Sequence, residues 1–394
     1  MARLTPEKVV EALRECQARA PRRSLRVKCA VEGGVEYCLY TYKAADWRVF
    51  LEYPCLTLAR GTVVVEGKHV VLPFTKFFNL GEVPGVDAKG LRGREPVRVY
   101  EKLDGTLVVV WIDPVTGELR GHTRGMLWME SPEGVAAEGG VANPHVRAFM
   151  GYVEREGLGG RLWRLAEEGV VLFELVVPGL PASRSHTLGT VLEGLERARP
   201  YLLAVRRHGT MELEHPEGFE WPLKPQALHG SLESLRLQVA EWEDKEGVVA
   251  WFPEPIYPEP IEMLDPLLKV KSPRYLLKVS GIGSRRGQIA HVLKGGLDDI
   301  RWQLSDEEAR AFEEAYRIYQ DLEERIKALH PYWQDLRALG LRGWLLEAVK
   351  DPDKTLGLVV ENAPRKPEKL PRFLEHSLAR LEKIAARLRE GGGR

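Results

Sequence analysis

The 394-residue sequence has no charge to spare: 57 lysines and arginines meet 57 aspartates and glutamates, so the formal net charge is zero. A chain that coats nucleic acid by bulk attraction is usually strongly basic, and that class is excluded. Any polyanionic ligand needs positive charge gathered locally. The sequence also lacks an apolar run of about 18 residues, the length a membrane helix requires. Its opening residues, Met1-Ala-Arg-Leu-Thr-Pro-Glu7, lack the apolar stretch of a signal peptide. These absences predict a soluble, intracellular, cytoplasmic protein with no membrane partner.

Cysteine is scarce. Cys16, Cys29, Cys38 and Cys55 fit neither paired CxxC zinc ligands nor a redox CxxC. Reduced, packed thiols are the expectation, with a Cys29–Cys38 bridge as the alternative. The 10 histidines form no HxxxH or HxH pair, so a histidine-based metal centre is not expected. Asparagine occurs only at Asn79, Asn143 and Asn362, while charged residues and proline are plentiful, a thermophile-like balance.

Apolar material is ample. At 44% hydrophobic residues the chain can bury a full core, and its length predicts two or three domains. Residues 5–19 read as an amphipathic helix, with Thr5-Pro6 as cap and first-turn proline. From about 25 to 275 short β-rich runs dominate: 61–66, 97–102, 106–112, 170–177, 201–205 and 247–252, interrupted by a helical stretch near 144–168. After Pro273 the segments 305–329, 331–350 and 371–390 have helical periodicity, with one brief strand-like run at Leu356-Gly-Leu-Val-Val360. The economical architecture is α+β: a β-rich domain over 1–275, followed by an all-α domain over 276–394.

Chemistry first suggests itself at Glu101-Lys102-Leu103-Asp104-Gly105. A lysine ending a β run can attack phosphorus once its ammonium loses a proton. Taken alone, Lys-x-Asp-Gly is also an ordinary surface turn. Glu174 follows Phe173 in an otherwise apolar strand, where a carboxylate is costly unless it bonds something specific such as a ribose hydroxyl. Glu246 opens the apolar run 247–252. Lys269 and Lys271 flank Val270, so in an extended chain both ammoniums face one way and can grip one polyphosphate.

In this order the residues resemble motifs I, III, IIIa, IV and V of the covalent nucleotidyltransferases, the superfamily of ligases and mRNA capping enzymes. Lys102-Leu-Asp-Gly105 matches motif I, Phe173-Glu174 motif III, Glu246-Gly-Val-Val249 motif IV and Lys269-Val-Lys271 motif V, with Tyr201-Leu-Leu-Ala-Val205 in the IIIa interval. Upstream, Leu39-Tyr-Thr-Tyr42, Leu58-Ala-Arg-Gly61 and Pro73-Phe-Thr-Lys-Phe-Phe-Asn-Leu-Gly-Glu82 resemble segments of the bacteriophage-type RNA ligase 1 family. The Lys-Phe-Phe-Asn match separates that family from DNA ligases and capping enzymes. Two segments depart from the family pattern: Pro181-Ala-Ser-Arg-Ser-His186, where Arg184 replaces the family arginine, and Thr123-Arg124-Gly125, which has arginine for lysine.

The resemblance implies a nucleotidyltransferase domain of antiparallel sheets with helices, ATP-grasp-like in its class, ahead of the helical domain. It implies ATP and Mg²⁺, or Mn²⁺, as cofactors, and RNA with 5′-phosphate and 3′-hydroxyl ends as partner, with single-stranded DNA as a further substrate. Lys102 is the implied nucleophile, attacking the α-phosphorus of ATP. Glu246 is the implied metal-holding residue. The implied nucleotide contacts are Tyr42, Arg60, Lys76, Glu101, Asp104, Gly105, Arg124, Glu174, Tyr201, Glu246, Lys269 and Lys271. A DNA ligase, a capping-type nucleotidyltransferase and a non-catalytic protein that binds nucleic-acid ends are the competing readings.

Two features outside these motifs carry separate expectations. Val279-Ser-Gly-Ile-Gly-Ser-Arg-Arg286 resembles the Gly-x-Gly turn of helix-hairpin-helix modules, against the plainer reading of a glycine-rich helix connection. Between Arg365 and Arg389 eight basic residues face three acids, on a predicted helix whose other side is a leucine seam. That face either tracks RNA phosphates or only aids solubility.

Overall fold

The computed structural model describes residues 4–391, except 22–23, 44–46, 130–141, 180–193, 276–283 and 302–303. The chain forms two compact units, Met1–Tyr275 and Leu276–Arg394.

The first unit contains three antiparallel sheets. One has the order β1 (Leu25–Glu32), β2 (Val35–Tyr42), β3 (Arg60–Val65), β4 (His69–Val71). Gly33 and Gly34 link β1 to β2 with φ of 59° and 84°, the left-handed pair a two-residue hairpin requires. That turn sets Cys29 opposite Cys38, and the two form a disulfide. A second disulfide, Cys16–Cys55, ties helix α1 (Pro6–Arg19) to the turn preceding β3. The expectation of reduced thiols is therefore corrected: all four cysteines are bridged. Its physical reason is that the hairpin register and the seat of α1 bring each pair of sulfurs together.

The remaining strands form the sheets that frame the motif residues. In the 4-stranded sheet the order is β11 (Ala227–Leu228), β5 (Arg98–Lys102), β12 (Gly247–Trp251), β13 (Leu267–Lys271). The 5-stranded sheet runs β10 (Leu213–Glu214), β9 (Arg199–Arg207), β8 (Gly169–Val176), β6 (Thr106–Ile112), β7 (Leu119–Thr123). Strand β8 is buried along nearly its whole length, as an apolar run interrupted only by Glu174 demands. Helices α2 (Trp47–Glu52), α3 (Pro144–Arg155), α4 (Gly159–Glu168) and α5 (Leu232–Ala240) complete the unit. One contiguous core joins its helices to its sheets.

No strand occurs among the described residues of the second unit. Its helices are α6 (Arg285–Leu293), α7 (Leu297–Ile300), α8 (Asp306–Leu329), α9 (Trp333–Ala338), α10 (Trp344–Lys350), α11 (Thr355–Asn362) and α12 (Leu370–Gly391). A capping box of Ser305 and Glu308 starts α8, which packs against α12 around Phe312, Leu322, Leu374 and Leu381. The strand-like run 356–360 is corrected: it lies inside α11, where Thr355 and Val359, one turn apart, are buried. A short apolar run has no periodicity of its own, and helical neighbours decide its conformation. No described helix is long and apolar enough to cross a membrane.

Candidate active site

Three adjacent strand ends bring the central charges together. Lys102 closes β5, Gly247 opens β12 opposite it, and Lys271 closes β13 opposite Gly247. Glu246, one residue before β12, thus lies between two lysines. Its carboxylate meets Lys102 Nζ at 2.5 Å and Lys271 Nζ at 3.3 Å, with all three side chains largely buried. Gly247 makes this convergence possible: with φ of 149°, a Cβ there would sit 2.1 Å from the carbonyl oxygen of Val270.

Beyond Lys102 the chain crosses from one sheet to the other through Leu103-Asp104-Gly105. A Cβ at Gly105 would lie 2.5 Å from the Leu175 carbonyl oxygen, so only glycine lets this crossing press against β8. Tyr275 donates a 2.6 Å hydrogen bond to Asp104. Burial and that carboxylate hold the Tyr275 phenol well above its usual range, so it remains a donor. Glu174 lies on β8, opposite Tyr201 of β9. Burial pushes its carboxyl up to about 7; Lys102 and Arg60 pull it down, while Glu246 and Asp104 push it up further.

A second group of cations comes from the first sheet and the loops beside it. Burial lowers the Arg60 guanidinium from its ordinary value, with Tyr42 opposing and Arg124 reinforcing the effect. Its buried Nη1 makes no hydrogen bond. The Phe77 ring lies within cation–π distance of both Arg60, at 4.7 Å, and Lys269, at 5.4 Å. Arg124 covers the buried Tyr42 ring at 4.5 Å and donates to the Tyr42 carbonyl. His122 helps hold this corner. Burial lowers its imidazole to about 4, and it stays neutral, accepting from Trp111 and bonding the Gly61 carbonyl at 2.8 Å.

Two predicted residues are placed differently from this cluster. Lys76 is buried in a box of Tyr42, Phe50 and Phe78, 3.3 Å from Glu82. Glu101 points to the opposite face of β5 from Lys102, as strand alternation requires, and pairs with Lys245 at 2.9 Å. Arg184 and most of the Gly-x-Gly segment lie outside the described residues.

Sequence reasoning missed the residues that hold the 73–80 loop. Arg206, 2% exposed, donates to Asp265 at 2.7 Å and to the carbonyls of Leu72, Pro73 and Met211. Asp265 in turn accepts from the backbone and hydroxyl of Thr75. Tyr257 accepts from the Phe78 amide at 2.9 Å. The available signal was the arginine and aspartate in otherwise apolar strand-like surroundings, where a charge must be paired.

The residues suit a phosphate-bearing nucleotide and a hard cation. Carboxylates at Glu246, Glu174 and Asp104 influence one another, and Glu174 carries a burial penalty that nearby positive charge relieves. Among the described residues the one tight trio of potential metal ligands is Cys29, Glu36 and Cys38, whose sulfurs are bridged. At the Lys102 site the oxygen donors are carboxylates, the ligand type a hard divalent cation takes.

No family model matches the chain. Over 215 residues it is 29% identical to a protein of Thermovibrio ammonificans named "Putative RNA ligase", covering 53% of this chain and 49% of that protein. The match thus spans about half the length of that relative. Among solved structures, the chain is similar to an archaeal ATP-dependent RNA ligase, at 14% identity and a TM-score of 0.43, covering 90% of this chain and 81% of the other. It is also similar to a "Putative ATP-dependent DNA ligase" of Aquifex aeolicus, at 13% identity and a TM-score of 0.39, covering 88% and 78%.

Proposed function

We propose that the protein is an ATP-dependent RNA ligase of the RNA ligase 1 type that joins 5′-phosphate and 3′-hydroxyl ends through a lysyl-AMP intermediate. The observation that carries this reading is the Lys102–Glu246–Lys271 cluster at three paired strand ends, beside Glu174 and Asp104. Similarity to a relative named as an RNA ligase supports the choice of RNA.

In the first step Lys102 Nζ, as the free amine, attacks the α-phosphorus of ATP. A P–N bond forms, the bond to the bridging oxygen breaks, and pyrophosphate leaves. Lys269 and Lys271 hold the polyphosphate, and Arg60 and Arg124 supply further cations for phosphate oxygens. The unpaired Arg60 Nη1 supports that assignment. Glu174 accepts from a ribose hydroxyl, with Tyr201 beside it. Asp104, fixed by Tyr275, and Gly105 orient the nucleophile's turn, and backbone groups at Glu101 are its only route to the nucleotide. Tyr42 acts through Arg124, and Lys76 through the shape of its aromatic box. Glu246 would hold Mg²⁺ or Mn²⁺, which would supply further positive charge at the phosphates. In the second step a 5′-phosphate oxygen of RNA takes AMP from Lys102. In the third a 3′-hydroxyl attacks that 5′-phosphorus and expels AMP.

Residues 1–275 form the adenylyltransferase domain in this reading, and 276–394 a helical domain. A DNA ligase or capping enzyme usually continues into a β-rich OB domain, and the described residues of the second unit are helical. Incubation with α-labelled ATP and Mg²⁺ tests the proposal. Label that survives denaturation is expected on the wild type and lost in Lys102→Ala, together with joining of 5′-phosphorylated RNA. Label retained on another lysine, or absent from the wild type with every nucleotide, rejects the mechanism; the latter outcome favours a non-catalytic end-binding protein.

A further inference from the structure

The helical unit carries a cleft of about 370 Å³ beside α9 and α10, lined by Trp333, Arg337, Arg342, Leu346, Glu347 and Lys350. Three cations meet one carboxylate there. Among the described residues none of the three cations forms an ion pair, although their guanidinium and ammonium groups are exposed on a unit rich in glutamate. Arg342 is held at the rim by the carbonyls of Arg337 and Leu341. The Trp333 ring is half-buried, with Lys350 Nζ 5.7 Å from its centroid, and the neighbouring Tyr332 is 51% exposed.

A second cleft of the same unit gives the contrast. It is larger, about 640 Å³, but there Glu307, Glu314, Glu368 and Glu375 outnumber Arg310 and Arg372. A polyanion is repelled by that cleft and attracted by the first. Only the first also offers an indole.

We propose that the Trp333 cleft binds one nucleotide of single-stranded RNA, its base against the indole and its flanking phosphates on Arg337, Arg342 and Lys350. An aromatic face beside cations that no carboxylate neutralises is the pairing that single-stranded nucleic acid uses: every base has a π-face, and every linkage a negative charge. The base must be unpaired to lie on a side-chain ring, which selects single strands over duplex. The choice of RNA rests on the ligase reading above, whereas the cation and indole chemistry stands without it.

The test uses the full chain and a fluorescently labelled 5′-phosphorylated RNA 12-mer, with anisotropy read between 50 and 200 mM salt, alongside the α-labelled ATP assay. The Arg337→Glu/Arg342→Glu double variant should bind at least ten-fold more weakly, and its salt slope should be shallower by about 0.7 for each phosphate no longer neutralised. Trp333→Ala should weaken binding about ten-fold and Trp333→Phe should restore most of it. Arg310→Glu, in the acid-rich cleft, should bind like the wild type, and lysine labelling should be normal in all variants. The reversed arginines are exposed, and a helical content and unfolding midpoint matching the wild type are the check that the double variant is folded even where Trp333→Ala is not. Unchanged affinity in that double variant, or duplex RNA competing as well as single strands, overturns the proposal. Loss of RNA affinity in the cleft variants, with no adenylylation even in the wild type, would instead sink the ligase reading and leave the cleft standing.

Discussion

Glu174 is a carboxyl whose protonation is tied to where the fold puts it. Its pKa is raised by burial to about 7 from an unfolded value near 4.5, so the folded chain binds the proton more tightly than the unfolded chain. The stabilisation this gives is full below the unfolded value and is lost as pH rises through about 7. Glu174→Gln, which cannot ionise, should therefore match the wild type near pH 4.5 and gain on it up to pH 7, by on the order of 2 kcal/mol. Thermal unfolding without nucleotide across that range checks this, and a constant difference would reject it. The lysines make a kinetic prediction. If Lys269 and Lys271 grip ATP's phosphates, alanine at either should slow lysyl-adenylate formation more than sealing of pre-adenylated RNA; equal losses in the two assays would count against the roles. Glu174 and Glu246 stand out in the sequence because each adjoins an apolar run that would otherwise exclude charge, whereas Lys102, Arg60 and Arg124 are singled out only by their resemblance to family motifs. Lys76 shows the limit: its segment is distinctive, yet the box of Tyr42, Phe50 and Phe78 depends on contacts across the fold that no local pattern encodes.

Strands carry the motif residues, but side chains between elements aim them. The Arg206–Asp265–Thr75 group joins β9, the entrance to β13 and the 73–80 loop, the same loop that brings Phe77 against Arg60 and Lys269. Removing one member leaves a buried charge uncompensated, which costs about 3–5 kcal/mol, whereas an apolar replacement of both partners recovers much of that loss. Asp265→Ala should accordingly lower stability by that order, and the Arg206→Met/Asp265→Leu double variant should be more stable than Asp265→Ala. Urea denaturation of the full chain measures both; a double variant no better than the single would mean the group holds the loop by hydrogen bonds alone. Most elements were readable from period and composition, including the capped α1 and the long α8. The exceptions share a cause. Residues 356–360 form a helix turn because helical neighbours bury Thr355 and Val359, and the cysteines pair because a Gly-Gly hairpin fixes Cys29 opposite Cys38. The second of these could have been found by centring the hairpin on Gly33-Gly34; the first needed the tertiary surroundings.

At the scale of the whole molecule, a formal net charge of zero gives RNA no bulk attraction, so any affinity for a polyanion must come from charge sorted within a unit. Helix α12 sorts it. Leu374, Leu381 and Ile384 are buried while Arg380, Lys383 and Arg387 are exposed, and Glu382 is engaged by Arg325 at 2.7 Å. One of the few acids on this helix is thereby paired with a cation outside it, which leaves the three exposed cations unopposed by that carboxylate. Ending the chain at Pro364 is a poor test of what they do, because it strips α12 from α8 and uncovers part of the core around Phe312 and Leu322. Charge reversal is cleaner, since the three positions face solvent and the leucine seam is untouched. If the face tracks RNA phosphates, reversing Arg380, Lys383 and Arg387 should weaken RNA binding and reduce the salt slope by about 2, at roughly 0.7 per phosphate on a single strand. Labelling of Lys102 by ATP should be spared, because that chemistry lies in the first unit. Equal RNA affinity in a variant whose helical content and unfolding midpoint match the wild type would leave α12 with packing against α8 as its role, and would place the sorted charge of the second unit at the Trp333 cleft alone.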